Sequence, residues 1–307
     1  MSGEIAKDGE GATRCGYVAL IGVPNAGKST LLNQLVRAKV SIVTPKVQTT
    51  RSRVLGIAVE GAAQLIFVDT PGIFTPKRRL ERAMVAAAWA GAEDAEIVVL
   101  LIDAARGIDE DTRRIIDGLK NAGRRAILAL NKVDLVKPEK LLGLAETLSK
   151  EEIFDPVFMI SGLTGSGVED LRRHLVKAVP EGPWLFPEDQ LSDLPERLLA
   201  AEITREQVFL QLHDELPYAS TVETEGWEEF KNGSVKITQT IYVQRDSQKA
   251  IVLGHQGSQI KRIGARARAE LEKLLERRVH LFLFVKVRED WTEDRERYEA
   301  MRLDYKE

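Results

Sequence analysis

The chain has 307 residues, of which 44% are apolar and 30% charged, a composition typical of a globular protein and a length sufficient for two domains. Its net charge of −3 excludes a polycationic nucleic-acid-binding protein, so any nucleic-acid site must be a local basic patch. The single cysteine, Cys15, excludes an intramolecular disulfide and a cysteine-rich zinc cluster, and we expect neither a signal peptide nor a membrane-spanning segment.

The predicted elements of the first half alternate between apolar strands and helices. Residues 1–14 are predicted to be a disordered tail, followed by a first domain over 15–180. Strands are predicted at 17–21, 54–59, 63–68, 97–102, 126–130 and 156–160, and helices at 30–36, 82–92, 109–121, 138–148 and 168–178. This alternation predicts an α/β domain with a mainly parallel sheet covered on both faces, which binds its ligand at the carboxyl ends of the strands.

The pattern changes after residue 180. Four prolines in residues 180–195 predict an interdomain linker over 181–195. An α+β domain is predicted over 196–290, with helices at 196–215, 248–253 and 258–277 and strands at 220–230, 234–245 and 279–287. The dipeptide Asn232-Gly233 between the first two strands is a strong hairpin signal. Residues 291–307 are predicted to be a polar C-terminal tail.

The most specific motif lies between the first predicted strand and the first helix. It fits G-x-x-x-x-G-K-[ST] and consists of Gly22, Val23, Pro24, Asn25, Ala26, Gly27, Lys28 and Ser29, followed by Thr30. Its glycines allow the loop amides to point at phosphate oxygens at a helix N-terminus. We expect Lys28 to reach the β- and γ-phosphates of a nucleotide and the Ser29 hydroxyl to bind Mg²⁺.

Two further segments are predicted to face the terminal phosphate. The stretch Asp69-Thr70-Pro71-Gly72 ends a predicted strand, where Asp69 would hold Mg²⁺ through water and the Gly72 amide would bond the γ-phosphate. The polar loop 41–52 is predicted to supply a hydroxyl to Mg²⁺ in the triphosphate state. Thr50 is the first candidate for that hydroxyl and Thr49 the alternative.

The next two strand ends carry residues that suit a guanine base. The Asp134 carboxylate offers two acceptors, which match the N1–H and N2–H₂ donors of guanine. Asn131 would tie this loop to the phosphate loop, and the Lys132 stem would pack on the base. A backbone amide of Ser161, Gly162 or Leu163 would donate to the guanine O6. The alternative for Asp134 is a helix cap.

These segments in this order resemble the translation-factor-related branch of the P-loop GTPases. The resemblance assigns Gln48–Ser52 to the first switch and residues 69–72 to the second, and it implies GTP, GDP and Mg²⁺ as ligands. Lys28, Asn25, Asp69 and Gly72 are the expected catalytic residues. Ile73 stands where Ras-like proteins carry a glutamine that orients water, so we expect slow intrinsic hydrolysis. Asn25 resembles the asparagine that lets some of these GTPases bind K⁺.

The second domain resembles a prokaryotic-type (type II) KH domain, in which a tight G-x-x-G turn holds single-stranded nucleic acid. Residues 245–288 contain eleven Lys or Arg against four Asp or Glu, a local charge of +7 that suits phosphates. The predicted RNA-binding residues are Lys249, Gly254, His255, Gln256, Gly257, Lys261, Arg262, Arg266 and Arg268. The middle residues of the turn carry no fixed charge, so phosphate contact would rest on amides and the flanking basic residues.

A GTPase domain followed by such a KH domain resembles the Era family of bacterial GTPases. The resemblance rests on Lys249–Gly264, Gln48–Arg51 and Val285–Trp291. It implies binding to the 3′ end of 16S ribosomal RNA and assistance in maturing the small (30S) ribosomal subunit. It also implies a cytoplasmic protein that is partly peripheral at the inner membrane, and we expect a monomer. The basic segment 77–79 is a candidate lipid contact, with a solvated loop as the alternative. The alternatives are a constitutive RNA-binding protein and a GTPase partner in RNA modification.

Overall fold

The computed structural model describes residues 12–306, so residues 1–11 of the predicted tail lie outside the described residues. The chain divides into two compact units. The first comprises residues up to 38, 55–69 and 89–193, and the second comprises 39–54, 70–88 and the residues from 194 onward. Between residues 12 and 306 no helix has both the length and the apolar character needed to cross a membrane.

Six strands form the sheet of the first unit, in the order β2-β3-β1-β4-β5-β6. The strands are β1 (Arg14–Ile21), β2 (Val54–Glu60), β3 (Ala63–Asp69), β4 (Ile97–Asp103), β5 (Ala126–Asn131) and β6 (Phe154–Met159). The helices of this half of the chain are α1 (Lys28–Val36), α2 (Arg79–Asp94), α3 (Glu110–Asn121), α4 (Pro138–Ser149) and α5 (Val168–Ala178). Residues 79–88 of α2 belong to the second unit. β1 pairs in parallel with β3 and β4, β4 with β5, and β5 with β6. This confirms the predicted α/β class and its mainly parallel sheet.

The first strand is longer than its apolar run predicts. β1 begins at Arg14, which is in register with Ala63 of β3 and whose Nε donates to Val179 O at 2.8 Å. The predicted tail therefore ends before residue 14. The apolar pattern missed this start because an arginine opens the strand and its partners are distant in sequence.

The segment predicted to be a linker is packed against the first unit. Gln64 Oε1 accepts from the amides of Leu185 and Phe186 at 2.9 and 3.0 Å, and Gln64 Nε2 donates to Phe186 O at 2.8 Å. Trp184 and Phe186 lie against a buried cluster that includes Ile66. The predicted linker over 181–195 is therefore packed rather than extended into solvent, because the apolar side chains between its prolines have partners on β2 and β3.

The second unit contains a three-stranded sheet in the order β7-β8-β9. Its elements are α6 (Glu196–Gln211), β7 (Ser220–Glu229), β8 (Val235–Val243), α7 (Asp246–Leu253), α8 (Ser258–Leu275), β9 (Val279–Val287) and α9 (Arg295–Ala300). β7 and β8 are antiparallel, whereas β8 and β9 are parallel. α6 and α8 pack on this sheet through buried residues such as Ile203, Val208, Ile263 and Leu271. The element order is that of the predicted type II KH domain.

The C-terminal residues differ from the predicted polar tail. Trp291 and Tyr298 are fully buried, and Leu303 is nearly so. Trp291 Nε1 donates to Ala219 O at 2.9 Å, and Tyr298 packs in a cluster with Met84. Charged residues dominate this stretch in sequence and hide three widely spaced side chains that are buried in the fold.

Candidate functional site

The phosphate loop connects β1 to α1 as the motif predicts. Gly22 has φ +151° and Gly27 has φ +99°, and a Cβ at position 22 would lie 2.5 Å from Leu101 O. Asn25 also has a positive φ of 65°. The glycines are therefore needed both for the backbone conformation and for the space around the loop.

Lys28 is buried at the first position of α1. Its ammonium donates to the carbonyls of Gly22 and Val23, both at 3.1 Å, so the side chain folds back over the loop. Burial lowers the pKa of Lys28 to about 8, and the nearby Asp69 carboxylate opposes that shift. An anionic ligand at the loop would favour the charged ammonium.

Ser29 and Asp69 meet at the start of α1 and the end of β3. The Ser29 hydroxyl donates to Asp69 Oδ2 at 2.7 Å. The pair offers only oxygen atoms as metal ligands, and it lies beside Lys28 and the N-terminus of α1. That is the chemistry that suits Mg²⁺ bound together with a nucleotide phosphate, so these residues fit the predicted ligands.

Asn131 joins three loops of the predicted nucleotide site. Its Nδ2 donates to Ala26 O at 2.8 Å, and its Oδ1 accepts from the Gly162 amide at 2.9 Å. The side chain is buried, so these two bonds use both ends of its amide. Asn131 thereby connects the phosphate loop, the end of β5 and the loop after β6, as its predicted role requires.

Asp103 belongs to no sequence motif and was not predicted. It ends β4, and its Oδ2 lies 2.7 Å from Lys132 Nζ. Lys132 has a positive φ of 64°, so both its backbone and its ammonium are constrained. The signal that could have found Asp103 is its position, since it is a carboxylate at the carboxyl end of a parallel strand.

The remaining base-loop residues are accessible. Asp134 is exposed, and Leu163 is 76% exposed, whereas Ser161 is buried and its hydroxyl accepts from the Thr164 amide. An exposed carboxylate and an exposed leucine beside the Asn131 junction leave room for a planar ligand.

The predicted switch residues other than Asp69 group with the second unit. We call residues 39–54 the first-switch segment, which contains Thr49 and Thr50. The second unit also includes residues 70–88, in which Thr70, Pro71 and Gly72 are buried. The Thr49 hydroxyl lies 2.6 Å from Thr44 Oγ1 and donates to Lys46 O at 2.8 Å. The Thr49 hydroxyl is thus engaged within its own loop.

The G-x-x-G turn lies between α7 and α8. Gly254 and Gly257 have φ of +69° and +76°, and a Cβ at Gly254 would lie 2.7 Å from Gln259 Cβ. His255 and Gln256 are exposed at the tip. The turn therefore presents backbone at the surface, where a larger residue at position 254 would not fit.

A groove runs beside this turn between α8 and β9. It has a volume of about 330 Å³ and is lined by Ile260, Lys261, Gly264, Ala265, Arg268, Leu281, Phe282 and Leu283. Phe282 is 49% exposed. Apolar walls next to cations suit stacked bases with phosphates alongside. The apolar residues of β9 indicate only a strand in the sequence, so their part in a groove was missed.

The predicted basic residues differ in how far they are engaged. Lys261, Arg266 and Arg268 are exposed and form no ion pair within residues 12–306. Arg262 instead donates from Nε to Gln211 Oε1 at 3.1 Å, and Lys249 is half-buried. The first three cations are therefore the ones open to a phosphate backbone.

Comparison with known proteins identifies a family for each of the two domains. A family described as 50S ribosome-binding GTPase matches residues 17–132, and the KH domain family matches residues 215–292. GTPase Era from Brucella suis is 60% identical over 293 residues, covering 95% of this chain and 94% of that protein.

Two solved structures are also similar along most of the chain. Era in complex with MgGDPNP and nucleotides 1506–1542 of 16S ribosomal RNA has a TM-score of 0.89 and 39% identity, covering 94% of this chain and 98% of that one. A tyrosine-to-alanine point variant of Era from Aquifex aeolicus bound to GDP·AlF₄⁻ has the same TM-score and identity, covering 94% of this chain and 99% of that one. The chain consists of a P-loop GTPase domain followed in sequence by a KH domain, and it therefore belongs to the Era family of GTPases.

Proposed function

We propose that the chain hydrolyses GTP to GDP and uses the nucleotide state to control binding to the single-stranded 3′ end of 16S ribosomal RNA during maturation of the small ribosomal subunit. The functional domains would be a GTPase domain over 15–180 and a KH domain over 196–290. The structure of a related Era with MgGDPNP and the end of 16S ribosomal RNA supports this assignment. The observation that carries the nucleotide control is the packing of the first-switch segment on α6.

We assign the nucleotide contacts as the motifs indicate. The Lys28 ammonium and the backbone N–H groups of residues 22–30 other than Pro24 would bind the phosphates. The Asp134 carboxylate would bind the guanine edge, and the loop 161–163 the O6 atom. Ser29, Asp69 and Thr50 would hold Mg²⁺, which supplies charge neutralisation at the phosphates. Thr50 is our first choice for the switch hydroxyl and Thr49 the alternative, whose hydroxyl is bonded to Thr44 and Lys46. Loss of the Mg²⁺-dependent gain in GTP affinity in Thr50→Ala, and not in Thr49→Ala, tests this choice.

Asn25 is proposed to bind K⁺ beside the phosphates. Asn25 is exposed in the phosphate loop, where its positive φ is part of the turn of the backbone. GTP hydrolysis should be faster in KCl than in NaCl, and Asn25→Ala should remove that difference. Equal rates of the unmodified chain in the two salts would refute the role.

The RNA contact is proposed at the G-x-x-G turn, with Lys249, Lys261, Arg262, Arg266 and Arg268 around it. Gly254→Ala should abolish the tight turn because of the close approach of Gln259. Gly233→Ala is the matched control, since Gly233 has φ +82° but no atom within 4 Å of an added Cβ. RNA affinity should fall at least tenfold only in the first variant. Equal loss in both would mean that backbone strain alone is being measured.

The first-switch segment is attached to α6 along most of its length. Lys39 Nζ lies 2.6 Å from Glu206 Oε2, and the Val43 amide donates to Glu206 Oε1 at 2.9 Å. Lys46 donates to Phe209 O in the last turn of α6 and to Leu212 O directly after the helix. A conformational change in the first-switch segment would therefore alter its contacts with α6.

Arg51 is the deepest of these attachments. Its side chain is 4% exposed and donates to the carbonyls of Ser220, Pro217 and Tyr218 at 2.7, 3.2 and 3.2 Å. Its guanidinium lies 5.4 Å from the ring centroid of Phe209 and 5.5 Å from that of Trp291. Since Arg51 follows Thr50 directly, moving the threonine toward a metal would pull on this buried group.

α6 also contacts the start of α8. Gln259 Nε2 donates to Gln211 O at 3.3 Å, and Arg262 Nε donates to Gln211 Oε1 at 3.1 Å. Both partners follow Gly257 closely in the first turns of α8. The same helix thus contacts the first-switch segment at one set of residues and the RNA turn at another, which supports α6 as the element that both ligands bias.

The test measures affinity for a short fluorescent RNA copied from the 3′ end of 16S ribosomal RNA, with the chain loaded with GDPNP or GDP at one fixed salt concentration. We expect tighter binding in the GDPNP state, and a smaller difference between the states in Arg51→Lys. Arg278→Lys, which replaces an exposed arginine of the same unit, is the control. Equal affinity in the two states would refute gating and leave a constitutive RNA-binding protein, and no binding in either state would refute the RNA assignment.

The protein would act as a monomer in the cytoplasm and would make peripheral contact with an anionic membrane. Lys77 and Arg78 are exposed in a loop, whereas Arg79 pairs with Glu293 at 3.0 Å. Flotation with vesicles containing anionic lipid should recover the chain, and Lys77→Gln with Arg78→Gln should reduce recovery. Equal recovery on neutral vesicles would contradict a charge-based contact.

A further inference from the structure

A second cavity lies wholly within the second unit and is separate from the RNA groove. Its volume is about 370 Å³, which is in the size range of small-molecule sites. The first-switch segment, α6, β7 and the residues around α9 line it. We call it the arginine cavity, after the seven arginines at its wall: Arg51, Arg53, Arg197, Arg205, Arg288, Arg297 and Arg302.

The charges at the wall do not balance. Four carboxylates face the seven arginines, from Glu202, Glu223, Asp294 and Glu296, which leaves a surplus of three positive charges. An anion in the cavity would offset this surplus of positive charge.

Two of the arginines are buried and incompletely hydrogen-bonded. Arg205 is 2% exposed and its Nη1 has no acceptor; Arg297 is 7% exposed and neither Nη1 nor Nη2 has one among the residues that the structure describes. Their other nitrogens are engaged, Arg205 with Glu202 and with Thr49 O, and Arg297 with Glu223. Arg297 Nη1 lies 3.8 Å from Asp294 Oδ2, an ion pair too long for a hydrogen bond. Buried guanidinium groups with unused N–H donors are costly unless an acceptor is supplied, and phosphate oxygens match their geometry.

The rest of the wall is apolar. Leu194, Leu198, Ala201, Val222 and Met301 line the cavity between the arginines. A site that takes only inorganic anions has no use for such a surface, whereas an organic phosphate would bury its carbon-rich part there. We propose that the arginine cavity binds a small organic di- or polyphosphate, of nucleoside-diphosphate size, independently of the P-loop.

The experiment uses the full chain saturated with Mg²⁺ and GDP, so that the P-loop is filled. ADP and inorganic pyrophosphate are titrated by calorimetry, because adenine lacks the donor pair that Asp134 recognises. We expect ADP to bind at one site per chain and more tightly than pyrophosphate. No binding of either probe would overturn the proposal, and tighter binding of pyrophosphate than of ADP would overturn the organic part of it.

Variants locate the site. Arg197→Gln with Arg302→Gln removes two exposed arginines of the cavity, and Arg278→Gln with Arg295→Gln removes two exposed arginines elsewhere in the same unit. ADP affinity should fall at least tenfold in the first pair and stay unchanged in the second. Equal affinity in both pairs would overturn the assignment to this cavity.

A second measurement does not depend on variants. Hydrogen exchange of the unmodified chain should show slower exchange in α6 and α9 when ADP is added to the GDP-saturated protein. Protection confined to residues 254–268 would place the anion at the RNA surface and overturn the proposal.

Discussion

Gly27→Ala offers the sharpest test of how the nucleotide site is held together. Gly27 has φ +99°, a conformation that costs an L-residue about 1–2 kcal/mol. An added Cβ would also overlap Asn131 Nδ2, so the Asn131 side chain would have to leave its bonds to Ala26 O and the Gly162 amide. Each buried bond contributes about 1 kcal/mol, and more when a partner is left unsatisfied. We expect the free energy of unfolding of the first unit to fall by about 3–5 kcal/mol.

A matched control separates the backbone cost from the clash. Gly107 has φ +81° and no atom within 4 Å of an added Cβ, so Gly107→Ala should cost only about 1–2 kcal/mol. Native-state hydrogen exchange of the slowest amides in β4 and β5 reports the opening of the first unit by itself. Equal losses in the two variants would refute the steric argument.

A double-mutant cycle tests the role of Asn131 directly. In an Asn131→Ala background the clash has no target, so Gly27→Ala should then cost about as much as Gly107→Ala. The coupling energy should be about 2–3 kcal/mol, and GDP affinity should fall in parallel with the loss of the three-loop junction. An undiminished cost of Gly27→Ala in that background would refute the assignment of the effect to Asn131.

Three further predictions concern ionisation, anchoring and base choice. The pKa of Lys28 is lowered to about 8, and bound phosphates should raise it, so GDP binding at pH 9 should be accompanied by proton uptake. Calorimetry in buffers of different ionisation enthalpy measures that uptake. No uptake would contradict a contact between Lys28 and the phosphates. Arg51→Lys should lower the free energy of unfolding of the second unit by about 2 kcal/mol, measured by exchange in β8, because lysine lacks the planar fork that reaches three carbonyls. Asp134→Asn should weaken GDP binding roughly 100-fold or more and favour xanthosine diphosphate, which presents an acceptor where guanine has an amine; unchanged GDP affinity would return Asp134 to a helix cap.

The features predicted correctly from sequence are those that depend on neighbouring residues. A strand, a glycine-rich loop and a helix in succession determine the phosphate loop, and alternating apolar runs determine the parallel sheet. The Asn232-Gly233 hairpin and the G-x-x-G turn likewise need only local backbone conformations. The meeting of Ser29 and Asp69 is predictable for a related reason, since both follow strands that end at one edge of the sheet.

Only the tertiary structure decided which distant residues meet. The pairing of Asp103 with Lys132 could not be predicted, and neither could that of Gln64 with residues 185 and 186. No local sequence pattern marks either pair. The proline-rich and C-terminal segments resemble a linker and a tail in sequence, although the fold partly buries Trp184 and Phe186 and fully buries Trp291 and Tyr298. The attachment of the first-switch segment to α6 and the arginine cavity belong to the same class. Burial and charge pairing are properties of three-dimensional neighbours, which a linear pattern does not contain.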